Sequence, residues 1–133
     1  MTSKIVYTGD LRTHATHLSS GSEIDTDAPV DNHGKGARFS PTDLAATSLG
    51  ACMMTVMGIA ARERKINLVN TVISVEKMMA AAPRRIAEIK VTIRFPENSL
   101  DTATREYFER LARNCPVAKS LHPDILQTIS FVW

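Results

Sequence analysis

Apolar and polar positions alternate loosely over residues 4–26, in KIVYTG, RTHATHL and SEIDTD, and predict two or three short strands separated by polar breaks. Residues 27–39 gather Pro, Asp, Asn and Gly with little period, predicting a loop that packs weakly on its own account. Loops of that length often carry function. At SPTD the pattern changes. Ser40 can accept a backbone N–H as N-cap, Pro41 suits the first helical position, and Asp43 puts a carboxylate at the third, near the positive helix end. The helix begun there should run to about Lys65 through LAATSLGACMMTVMGIAARERK. Its middle is apolar on nearly every face, which predicts a central, largely buried helix.

From Leu68 the period shortens to two. Ala87, Ile89, Val91, Ile93 and Phe95 alternate with Glu88, Lys90, Thr92 and Arg94, the pattern of a half-buried strand, and TVISVEKMM should pair with it across AAPRR as a hairpin. A second helix is expected from about Asp101 to Asn114, with Ala103, Tyr107 and Leu111 spaced four apart and Cys115 next on that face. Pro116 disfavours helical geometry at Cys115, so the helix should stop and VAKSL begin a fresh short turn. ILQTISFVW supplies a last strand through Ile125, Ile129, Phe131 and Trp133. No internal repeat, linker or low-complexity tract interrupts the chain.

Length and composition then narrow the picture. With 133 residues, 44% of them hydrophobic and 23% charged, the chain fits one globular domain over residues 1–133. A net charge of +2, from 16 basic and 14 acidic residues without a run of one sign, argues against nucleic acid as a partner. The N-terminus MTSKIVYTGD lacks the apolar core of a signal peptide, and the longest helix candidate contains Thr, Ser and Gly and ends in RERK. A cytoplasmic, soluble protein with no membrane partner is therefore expected.

The two cysteines, Cys52 and Cys115, are too few for a secreted disulfide scaffold. On composition alone Cys52 reads first as a small apolar residue of the helix and Cys115 as a filler under a proline, since free cysteine is among the most buried residue types. Their separation matches no CxxC motif, so only the fold could bring them together. His14 and His17, three apart on a strand, point to opposite faces and make a poor chelate, so no metal and no cofactor are expected. His122 could serve as a base near Cys115 or simply as a turn histidine, and Met53, Met54 and Met57 suit irregular core gaps. GKGARF lacks the spacing of a phosphate-binding loop.

SPTDLAATSLGAC at the start of a long apolar helix, followed near the C-terminus by CPVAKSLHPDI, resembles the superfamily of osmotically inducible protein C (OsmC) and organic hydroperoxide resistance proteins. The resemblance runs over almost the whole chain. It implies an α+β fold, with a curved antiparallel sheet around a long central helix, assembled as an interlocked homodimer with its sites at the subunit interface. It also implies a thiol-dependent peroxidase in which Cys52 is the peroxidatic and Cys115 the resolving cysteine, with a hydroperoxide as substrate and a dithiol as reductant.

In such chemistry a thiolate attacks the O–O bond, becomes a sulfenic acid, and is resolved by a second thiol to a disulfide. An ordinary cysteine thiol, near 8.5, is mostly protonated at neutral pH and needs a cation or donor beside it. The helix N-terminus is about a dozen residues from Cys52, whereas its dipole acts within the first turn. Arg38 is the candidate cation, contributed by its own chain or by the other subunit, with Arg12 and Lys35 as substitutes. The resemblance further implies a glutamate two residues after Ser40 to orient the arginine; this chain has Thr42 there, followed by Asp43, so Thr42 and Asp43 are supporting candidates. The departure keeps two rivals open: a non-enzymatic dimer binding a small apolar ligand, and a thiol redox sensor.

Overall fold

The computed structural model describes all 133 residues, which form two compact units, residues 1–45 and 46–133. In the first unit, strands β1 (Ser3–Gly9), β2 (Arg12–His17) and β3 (Glu23–Asp27) make an antiparallel meander in the order β1-β2-β3. Asp10 and Leu11, both at positive φ, turn β1 into β2, the geometry that matches the twist of a tight hairpin. Pairing His14 with Val6 and Asp25 puts Lys4, Arg12, His14, Glu23, Asp25 and Asp27 on one face and Ile5, Tyr7, Ala15 and Ile24 on the other.

The glycine-containing loop is more firmly fastened than its sequence predicts. Gly34 N–H donates to Pro29 O, Gly36 N–H to Ala28 O, and Lys35 Nζ lies 2.9 Å from Asp10 Oδ2. A Cβ on Gly34 would stand 1.7 Å from Ala28 O, so only glycine lets the loop fold back on itself there. A 3₁₀ turn at Val30–Asn32 precedes these contacts.

Helix α1 (Pro41–Glu63) starts as predicted. Asp43 N–H donates to Ser40 Oγ at 3.1 Å and Ser40 N–H to Asp43 Oδ2 at 2.8 Å, a reciprocal capping box. In the second unit α1 buries Leu49, Gly50, Met53, Met57, Ala60 and Ala61, while Ser48, Ala51, Thr55 and Ile59 remain exposed. The expectation of a largely buried helix therefore holds for one face only, because small residues on the other face blur the apolar stripe. By length and hydropathy α1 could cross a bilayer, and 39% of its most apolar stretch is buried within the fold.

Strands β4 (Val72–Ala81) and β5 (Arg84–Arg94) form the predicted hairpin, and β6 (Leu126–Val132) adds beside β5 in the order β4-β5-β6. Here one expectation is corrected. β6 runs parallel to β5, not antiparallel, because helices α2 (Thr102–Arg113) and α3 (Pro116–Ser120) return the chain to the same end before it enters the sheet. Helix α2 also turns a different face inward: Ala103 is exposed, while Phe108, Ala112 and then Cys115 are buried. A strict spacing of four drifts about 40° per step around a helix of 3.6 residues per turn, whereas steps of four and three follow one face. The core joins Leu49, Met53 and Met57 to Ile89, Val91, Ile93 and Phe108, with Trp133 stacked on Phe95 at 3.7 Å between ring centroids. Each large apolar side chain so buried contributes about 1.5–3 kcal/mol.

Candidate active site

Cys52 lies in the middle of α1, on the flank between its buried and exposed faces. Gly50 lets this stretch approach β4 closely: a Cβ there would be 2.9 Å from Val75 Cγ2 and 3.0 Å from Ile73 Cγ2. Cys115 is set by the opposite device, a helix stop. Its extended backbone (φ −63, ψ 154) separates α2 from α3, Pro116 follows at the first helical position, and its N–H still donates to Ala112 O. The Sγ atom serves as N-cap, accepting Ala118 N–H at 3.4 Å.

These two stops and approaches bring together sulfurs that are far apart in the chain. Cys52 and Cys115 are both free thiols, near enough in the core for Cys52 to act on the titration of Cys115. Burial pushes the Cys115 thiol pKa up, the N–H groups of Ala118 and Val117 oppose that, and the neighbouring Cys52 raises it further. Only 1% of Cys115 is exposed, while Cys52 is half-buried, so a solute reaches Cys52 first. Along the exposed side of α1 a groove of about 600 Å³ opens between Ala51, Met54 and Gly58 and the segment Leu68, Val69 and Ile73.

The family model described as OsmC-like protein matches residues 33–130, and a crystal structure described as an osmotic stress induced and detoxification response protein, from Psychrobacter arcticus, is 54% identical over 98% of this chain and 95% of its own, with a TM-score of 0.94. The chain belongs to the OsmC-like family. More distant structures show the same fold: an organic hydroperoxide resistance protein OsmC from Legionella pneumophila is 18% identical over 100% of this chain and 98% of its own, TM-score 0.77. An organic hydroperoxide resistance protein from Elizabethkingia anophelis is 16% identical over 99% and 96%, TM-score 0.74. No curated protein is similar enough to be matched.

Of the remaining candidates of this OsmC-like protein, Arg38, Thr42 and Asp43 belong to residues 1–45. Arg38 is half-exposed; its Nη1 donates to Ala37 O at 2.9 Å and its Nε is 4.0 Å from Asp25 Oδ2. Thr42 Oγ1 shares a hydrogen bond with Ser40 Oγ at 3.1 Å, and Asp43 closes the capping box. His122 lies 3.6 Å from Asp124 in an exposed turn, Met53 and Met57 fill the core, and Met54 lines the groove.

Sequence reasoning missed the densest polar cluster. Asp27, 2% exposed, accepts Arg12 Nε at 2.6 Å and Nη2 at 2.9 Å together with Ala37 N–H at 3.0 Å. The Arg12 guanidinium holds the Asp27 carboxyl below its usual value against the opposing effect of burial. Beside it, His14 Nδ1 is 2.8 Å from Asp25 Oδ1 and Nε2 is 3.4 Å from Glu23 Oε1. Bases at every second position of RTH and acids at every second position of EIDTD were visible in the sequence; the register that aligns them was not.

Proposed function

We propose that the chain reduces organic hydroperoxides with Cys52 as peroxidatic and Cys115 as resolving cysteine. The observation that carries this reading is the meeting of the two thiols, one reachable and one enclosed, within a family whose hydroperoxide resistance members share the fold. Burial raises the Cys115 thiol pKa, which suits Cys115 to the resolving role, and the half-buried Cys52 is assigned the attacking one. The Cys52 thiolate attacks the outer oxygen of ROOH, the O–O bond breaks, and RO⁻ leaves and takes a proton from water to give ROH, while Cys52 becomes a sulfenic acid. Cys115 sulfur then attacks Cys52 sulfur; its thiol proton and the departing hydroxide form water, and a disulfide remains. A dithiol reductant supplies the two electrons and two protons that restore both thiols.

Arg38 is assigned to hold the thiolate and the leaving oxygen, as a planar donor suited to anions, in a reducing, cytoplasmic compartment. The working form is taken to be a homodimer: Ile5 and Tyr7 on β1 are 64% and 65% exposed and Ile59 on α1 is 57% exposed, apolar surface that a second copy would cover. Turnover of cumene hydroperoxide with a dithiol, followed by stopped flow, tests the reading. Wild type should turn over and Cys52→Ser should not; retained turnover in Cys52→Ser ends it. The groove beside α1 favours one second reading, capture of a small apolar ligand without chemistry. Equal binding of an apolar dye by wild type and Cys52→Ser, with no peroxide consumption by either, would select it.

A further inference from the structure

The oxygens of the two β3 carboxylates are not used alike. Asp27 is saturated: both of its oxygens are taken by Arg12 and one also accepts Ala37 N–H. Asp25 is divided between two cations, His14 Nδ1 at 2.8 Å from Oδ1 and Arg38 Nε at 4.0 Å from Oδ2. His14 is itself held from the far side by Glu23. The remaining charged neighbours on that sheet face are Arg12, on the same strand and committed to Asp27, and Lys4 on β1, where the residue directly opposite His14 is Val6.

Resting on the peroxidase reading, we propose that Asp25 is the positioning carboxylate for Arg38 in this chain, and that His14, through the other oxygen of the same carboxylate, sets how firmly Arg38 is held. Thr42 stands where the resemblance implies an orienting glutamate, so a carboxylate for the arginine has to come from elsewhere; Asp25 is the one within ion-pair distance. Two cations compete for one carboxylate. When His14 is protonated, its charge offsets that of Asp25 and loosens Arg38; when His14 is neutral, Asp25 acts on Arg38 with its full charge. The Arg38–Asp25 pair is part-exposed, and pairs of that kind change an equilibrium by about two- to fivefold.

The test uses the full-length protein labelled with ¹⁵N. The His14 ring resonances and the Arg38 Nε–H resonance are followed through the neutral pH range, alongside hydroperoxide turnover. The Arg38 resonance should move at the pH where His14 titrates, and turnover should rise about two- to fivefold over the same interval. Asp25→Asn should uncouple the two resonances and fix turnover near the lower level, Asp25→Glu should restore the step, and His14→Gln should abolish it at the upper level. An Arg38 resonance indifferent to His14, or a turnover step that persists in Asp25→Asn, overturns the proposal. If wild type consumes no hydroperoxide while the resonances still titrate together and Asp25→Asn uncouples them, the peroxidase reading fails and the shared carboxylate stands.

Discussion

Replacing Gly50 by alanine sets two opposed effects against each other at the point where α1 carries Cys52 to the sheet. Removing a helix-interior glycine should stabilise by about 1 kcal/mol through propensity alone. The new Cβ, however, would lie 2.9 Å from Val75 Cγ2 and 3.0 Å from Ile73 Cγ2. Both neighbours are β-branched strand residues with stiff χ1, so neither can swing away. The helix has to lift by a few tenths of an ångström. Overpacking of this kind costs about 1–3 kcal/mol, so the packing cost should win by about 1 kcal/mol. With an unfolding entropy near 2.1 cal/mol/K per residue, that is a fall in Tm of about 4 °C for a chain of this size. Urea denaturation and calorimetry read the stability directly. The rate at which both thiols disappear on adding hydroperoxide should fall as well, because the lift changes the approach of Cys52 to Cys115. A Gly50→Ala protein that is more stable by about 1 kcal/mol would refute the close approach of α1 to β4.

Other outcomes follow from the same structure. Oxidation to the Cys52–Cys115 disulfide closes a loop of roughly sixty residues and should stabilise the fold by at most about 4 kcal/mol, a urea midpoint shift of up to about 2 M, which comparison of oxidised and reduced protein measures. His14 has its pKa raised above 6.5, first by the bond to Asp25, so its clamp contributes fully below 6.5 and is lost as pH rises through the native value; His14→Gln should flatten that part of the stability curve. The Asp27 pKa is lowered from 3.8 by Arg12, so its contribution is present above 3.8 and is lost as pH falls through the native value, and Asp27→Asn should remove that acid limb.

Much of the fold could be read from residue order. The alternation through Ile89, Val91 and Ile93, the capping residues Ser40 and Asp43 and the proline after Cys115 each act locally, and each sits in the structure where local rules place it. What local rules lack is long-range geometry. The parallel placement of β6 depends on how α2 and α3 bring the chain back, and the exposed face of α1 is hidden in sequence by alanine, glycine and threonine. The site divides in the same way. Cys52 and Cys115 could be named in advance from the resemblance, whereas their contact needed the packing of Phe108 and Ala112 with α1 in one core. The Arg12–Asp27 and His14–Asp25 pairs needed the β2–β3 register, which a one-residue slip would have scattered to opposite faces.

The pairing of the two sulfurs is tested most directly by adding one equivalent of cumene hydroperoxide to the reduced protein, then counting thiols and mapping peptides by mass spectrometry. Loss of two thiols per chain with a Cys52–Cys115 cross-linked peptide is the predicted result. Cys52 held at the sulfenic acid with Cys115 left as a free thiol would contradict it.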